Sequence, residues 1–220
     1  MTPDRPVDVR EIRIPVDGEA IVGDLTVPGA PRGVVVFAHG SGSSRHSTRN
    51  QQVAQALVAG GFATVLLDLL TAREEEVDLR TRALRFDIGL LASRVVDAID
   101  WVRGDEQLAD LPIGLFGAST GAAAALVAAT HRPEEVASVV SRGGRPDLAG
   151  EALGSVQAPT LLIVGGADLP VIGMNQEAMA RMPGRVQLEI VPDATHLFEE
   201  PGALEQVASL AADHLDRTLR

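Results

Sequence analysis

The chain contains no cysteine and no lysine; its 19 basic residues are all arginine, and 30 aspartates and glutamates outnumber them. Without cysteine there is no disulfide, no thiolate nucleophile and no cysteine-ligated zinc. Without lysine there is neither Schiff-base catalysis nor the phosphate-binding lysine of a P-loop. Aromatic residues are 3% of the chain, which argues against recognition by a stacked aromatic cage. The net charge of -11 argues against nucleic acid and anionic membranes as partners, since both need basic surface. No run of about eighteen apolar residues spans a membrane. The opening "MTPDRPVDVREIRIPVDGEA" is charged throughout and lacks the apolar core of a signal peptide. The expectation is a soluble cytoplasmic protein with no cofactor and no metal, acting on a small molecule; oligomeric state is not legible.

What is present reads as one α/β domain over residues 1–220, at 45% hydrophobic and 22% charged. "VREIRIPV" and "IVGDLTVP" alternate polar and apolar residues around "DGEA", as an antiparallel hairpin at a sheet edge does. The pattern then changes to continuous apolar runs, expected of strands covered on both faces: "GVVVFAH", "ATVLLDLL", Ile113–Phe116, "VASVVS", "APTLLIVG" and "VQLEIV". Helical patterns fall between them, near Asn50–Ala59, Asp87–Val102 and Ala122–Ala129, and again after "APTLLIVG" and from about Pro201. The charged stretch "TAREEEVDLRTRALRFD" carries no such assignment. Alternation of this kind predicts a mostly parallel, doubly wound sheet.

The stretch "PIGLFGASTGAAAALVAATH" joins a buried strand to a helix with no polar loop between them. Gly117–Gly121 is a G-x-S-x-G pattern in the strand, turn, helix context that makes it chemically meaningful. Flanking glycines admit a strained turn, and the Ser119 hydroxyl then stands above the carboxyl edge of the sheet. Two later strands end at Asp168, in "GADLPV", and just before His196, in "PDATHLF". A serine hydroxyl needs a base of near-neutral pKa, and that imidazole needs a carboxylate to fix its tautomer. The chain order Ser119, Asp168, His196 is the one this architecture uses. The loop "AHGSGSSRHSTR" offers Gly40 and Gly42 for close backbone approach, so the oxyanion donors are expected to be the amides of Ser41 and Thr120. His39 is expected to orient that loop.

These motifs resemble the α/β-hydrolase superfamily over nearly the whole chain. More narrowly, "HGSGSSRHSTRN", "LLDLLT", "FDIGLLASRV" and "SRGGRPDLA" resemble small bacterial proteins of the dienelactone hydrolase-like group. The resemblance implies an α/β-hydrolase fold and ester-type hydrolysis. Ser119 stands where dienelactone hydrolase proper has a nucleophilic cysteine, so dienelactone is not implied as the substrate. Some relatives of this kind are fused to a phosphoribosyltransferase domain, for which a chain of this length has no room.

Other interpretations compete. "VVVFAHGSGSSRH" is a strand followed by G-x-G, with Asp68 near where a ribose-binding carboxylate would sit. Arg45, however, replaces the third glycine, and a polar stretch delays the helix that should receive the pyrophosphate. A metal site of His39, His46 and Asp68 has no recognised ligand spacing. A non-catalytic small-molecule or partner-binding module on the same scaffold is the alternative from another class. The connection Arg142–Ala158 is too short for a helical cap, so the site is expected to be open or covered only by Thr71–Phe86. Arg142 and Arg145 follow a strand's carboxyl end and are candidate ligands for a substrate carboxylate; the plainer alternative is a pair of exposed or ion-paired loop arginines.

Overall fold

The computed structural model describes residues 7–219. The elements run β1 (Asp8–Val16), β2 (Glu19–Val27), β3 (Val34–Ala38), α1 (Thr48–Ala59), β4 (Ala63–Leu67), α2 (Ala72–Thr81), α3 (Ile88–Gly104), β5 (Ile113–Ala118), α4 (Thr120–His131), β6 (Val136–Arg142), β7 (Thr160–Gly165), α5 (Leu169–Arg181), β8 (Val186–Val191) and α6 (Ala203–Thr218). The eight strands form one sheet in the order β1-β2-β4-β3-β5-β6-β7-β8. β1 pairs antiparallel with β2, and β2 with β4; every pairing from β4 onward to β8 is parallel.

Side-chain alternation along the strands divides the core in two. In β1 Ile12, Ile14 and Val16 are buried while Glu11, Arg13 and Pro15 stay exposed, the signature of a strand packed on one face. In β3 every residue is buried: Val34, Val36 and Ala38 enter one core with α3 and α4, and Val35 and Phe37 enter the other with α1 and α6. Residues 120–126 of α4 are buried without exception, which its run of alanines allows by letting the helix lie close to the sheet. Among the described residues no cap domain interrupts this order; a 3₁₀ segment over Pro146–Ser155 makes the link between β6 and β7.

Over Thr71–Asp87, where the sequence carries no helix or strand assignment, the structure adds an element. This segment contains α2, closed at its start by a reciprocal capping box in which Thr71 accepts from the Glu74 amide and Glu74 accepts from the Thr71 amide. Asp78 is the only buried residue of α2, so no apolar stripe marks it. Its carboxylate takes the Arg85 amide at 3.0 Å and the Arg85 Nε at 2.6 Å, and together these hold its pKa below the usual carboxylate value against the opposing effect of burial.

The sheet order reverses direction about β3: β4 lies on one side of it and β5 on the other. Loops leaving β3 and β5 therefore separate, opening a crevice at the carboxyl edge where open α/β sheets bind ligands. The loop after β3 is His39–Ser47, and the turn after β5 is Ser119.

Candidate active site

Ser119 has φ 51° and ψ -120°, a left-handed conformation that strains any residue with a Cβ. Its neighbours make that geometry possible. A Cβ on Gly117 would strike the backbone of Gly121 and Ala122, and one on Gly121 would strike the carbonyls of Ala38 and His39. The turn is also clamped from β6: the Ser119 amide donates to the Arg142 carbonyl at 3.3 Å, and the Arg145 amide donates to the Ser119 carbonyl at 3.1 Å. Gly121→Ala should cost about 1–3 kcal/mol by overpacking, read as a lower urea midpoint. Gly154→Ala, at a position with open space around it, should leave the midpoint nearly unchanged.

Asp168 and His196 meet because their loops are laced together. The Gly166 amide donates to the Val191 carbonyl at 2.8 Å, and the Ala167 amide to the Ala194 carbonyl at 2.9 Å. His196 Nδ1 lies 2.7 Å from Asp168 Oδ2, with the carboxylate more shielded than the imidazole (15% against 38% exposed). A carboxylate only accepts, so Nδ1 carries the proton and Nε2 is left as the acceptor. Ser119 and His196 line the same cavity of about 250 Å³. No hydrogen bond joins their side chains; such contacts commonly tighten only in the substrate complex.

Ser41 lines this cavity too, and the Gly40 backbone lies against Ser119, so close that a Cβ there would sit 3.1 Å from the Ser119 Cβ. Thr120 is buried at the first position of α4. Neither the Ser41 nor the Thr120 amide donates to another protein group among the described residues. His39 braces the loop from behind. The Leu69 amide donates to its Nε2 at 3.2 Å, so Nδ1 bears the proton and donates to the Gly40 carbonyl at 2.9 Å.

Burial holds the His39 imidazole below its ordinary pKa, and does the same to His214, which sits beneath the Pro159 carbonyl. As pH falls below about 6.5 the unfolded chain therefore binds more protons than the folded one. Their contribution to stability is complete above that value and is lost as pH drops toward the lowered folded values. Urea midpoints should fall between about pH 7.5 and 5.5, and a His39→Asn, His214→Asn variant should show a smaller fall. An equal fall in both proteins would assign the effect to other groups.

The two arginines expected beyond the strand part company: Arg142 is the last residue of β6 itself, and Arg145 lies in the connection that follows. Arg142 lines the cavity and is buried, 7% exposed, with Nη2 donating to Asn50 Oδ1 at 3.2 Å. Arg145 is not among the cavity's lining residues; it makes a two-point ion pair with Asp147 at 2.8 and 2.7 Å, which raises its pKa. Arg49 and Asn50, at the start of α1, line the cavity and were not singled out in the sequence. Asp68 is taken up by Arg45, whose amide reaches it at 2.8 Å and whose guanidinium also bonds it. That removes both the ribose-binding role and the metal role considered for Asp68. Among the described residues no three histidine, aspartate or glutamate side chains are grouped to hold a metal ion, and no helix is long and apolar enough to cross a membrane.

Comparison with known proteins agrees with this architecture. A crystal structure of dienelactone hydrolase from Anabaena variabilis is 56% identical, with TM-score 0.95, over 97% of this chain and 99% of that one. A dienelactone hydrolase-like promiscuous phosphotriesterase from metagenomic libraries shares the fold at 16% identity and TM-score 0.79, over 97% and 99% of the two chains. Proteins from two strains of Mycobacterium tuberculosis, named "Putative phosphoribosyl transferase", are 60% identical over 210 residues, 96% of this chain. The chain spans 46% of the length of those relatives. The family model for dienelactone hydrolases matches residues 21–220, a stretch that includes the Ser119 turn, the Asp168–His196 pair and the loop that faces them, and the chain belongs to the dienelactone hydrolase family.

Proposed function

We propose that the protein is a serine hydrolase that cleaves a small carboxylic ester or lactone through an acyl-enzyme. The observation that carries this is the Asp168–His196 hydrogen bond of 2.7 Å, made through Nδ1, beside a serine held in a left-handed turn on the same cavity. His196 Nε2 takes the Ser119 proton as Oγ attacks the carbonyl carbon. The amides of Ser41 and Thr120 hold the oxyanion, the latter helped by the positive end of α4. Collapse expels the alcohol, which leaves with the proton from His196. His196 then deprotonates a water that attacks the acyl carbon, and the acid departs with Ser119 restored.

The transferase name of the Mycobacterium tuberculosis relatives belongs to proteins about twice as long. The portion matched here overlaps the stretch that the dienelactone hydrolase model covers, which supports hydrolysis as the chemistry of this chain. Of these two arginines, Arg142 is the one we propose to meet a polar group of the substrate; the Arg145 guanidinium is already neutralised by Asp147.

A panel of p-nitrophenyl esters of rising chain length, with lactones and an ester bearing an anionic group, tests the proposal. Turnover of at least one class is expected. No hydrolysis of any member by folded protein would reject the ester reading.

A further inference from the structure

The wall of the cavity carries more positive charge than a neutral ester requires. Among the described residues buried Arg142 has no carboxylate partner; its one side-chain hydrogen bond goes to a neutral amide oxygen, and its Nε has none. Burial, then the neighbouring charge of Arg49, push its pKa down to about 10, which still leaves it a cation at neutral pH. The Arg49 Nε is likewise buried and unpartnered. Arg49 Nη1 does reach Glu199 at 3.1 Å, but Glu199 is a mostly exposed side chain outside the cavity lining. Among the described residues no aspartate or glutamate lines the cavity. A desolvated cation beside a second cation is costly without an anion.

The rest of the wall has the same polarity. Ser47, Arg49 and Asn50 line it from the start of α1, a 12-residue helix whose N-cap is Ser47. The amides of Thr48 and Arg49 donate to no protein group among the described residues. A helix start offers free amides and partial positive charge to an anion. The hydroxyls of Ser43 and Ser47 add two further possible donors.

We propose that this wall, built by Arg142, Arg49 and the first turn of α1, is a subsite for a phosphate monoester group on the substrate. The inference rests on the ester-hydrolase reading and names the class of ester: one whose acyl or alcohol part bears a phosphate, which is held while Ser119 attacks the carbonyl. The phosphorus–oxygen bonds are untouched, so the step balances as ordinary ester hydrolysis. A carboxylate has one charge and two coplanar oxygens, which a single guanidinium satisfies. A phosphate monoester has three terminal oxygens and a charge of about -1.5 to -2, and it needs donors from several directions. Two guanidiniums, a helix start and hydroxyls around one cavity match the second description.

The test is binding of inorganic phosphate, by calorimetry and by competition against p-nitrophenyl acetate hydrolysis, with acetate as the comparison at matched ionic strength. Phosphate should bind saturably, compete, and bind at least tenfold more tightly than acetate. Arg142→Gln and Arg49→Gln should each weaken phosphate roughly ten- to a hundredfold, the range for a charged hydrogen bond. Arg49 is partly exposed, so its variant remains informative even if Arg142→Gln folds poorly. Arg132→Gln, at a surface pair with Asp100, should change nothing. Ser119→Ala should bind phosphate like the parent, which separates the two proposals: phosphate binding without hydrolysis would sink the esterase reading alone. Equal affinity for phosphate and acetate, no saturable binding, or binding indifferent to Arg49 and Arg142 would overturn the subsite.

Discussion

Ser119→Ala should lower kcat by about four to six orders of magnitude on any ester the parent hydrolyses, with the fold intact. The size follows from what is lost. Without the Oγ nucleophile no acyl-enzyme forms, and the residual rate is what oxyanion donors and substrate positioning give to direct attack by water. Alanine has the same Cβ as serine at this left-handed position, so it adds no backbone strain. Far-ultraviolet dichroism and urea midpoints near those of the parent would show that chemistry alone has changed. Retention of most activity by the folded variant would move the nucleophile elsewhere.

Asp168→Asn should lower kcat by about 10⁴. An asparagine amide facing His196 Nδ1 can donate, and it then favours the tautomer with the proton on Nε2. That tautomer cannot accept the Ser119 proton. The substitution removes little else. Asp168 stands at the N-cap of α5 but makes no capping hydrogen bond there, and among the described residues its only side-chain hydrogen bond is the one to His196. The loss should appear mainly in kcat, with little change in KM. A decrease of less than about tenfold would mean that another group orients the imidazole.

The strands and the Ser119 turn were legible because their signals are local. A continuous apolar run such as "VVVFA" has one way to bury both faces, and a G-x-S-x-G between strand and helix has few conformations open to it. The helix α2 escaped because it lacks an apolar stripe: its buried residue is Asp78, held by an ion pair with Arg85. Its capping box, Thr71 with Glu74, was nevertheless written in the sequence and could have found its start. Asp147, two residues beyond Arg145, was equally visible as that arginine's partner. Arg49 and Asn50 were not findable in this way. They read as the polar start of a surface helix, and their place in the cavity depends on Asn50 meeting Arg142, 92 positions away. Whether a charge lies on a wall or in solvent is decided by such long-range packing, which residue type and spacing do not encode.

In the proposed mechanism the Ser119 hydroxyl is made nucleophilic by His196 and Asp168. A fluorophosphonate probe tests it without knowledge of the substrate, because it reacts with an activated serine and mimics the tetrahedral intermediate. Labelling should be stoichiometric, mapped by peptide mass spectrometry to Ser119, abolished in Ser119→Ala and strongly slowed in Asp168→Asn. Folded protein that takes up no label, or takes it up at another residue, would contradict the account and leave a binding module on a hydrolase scaffold as the better description.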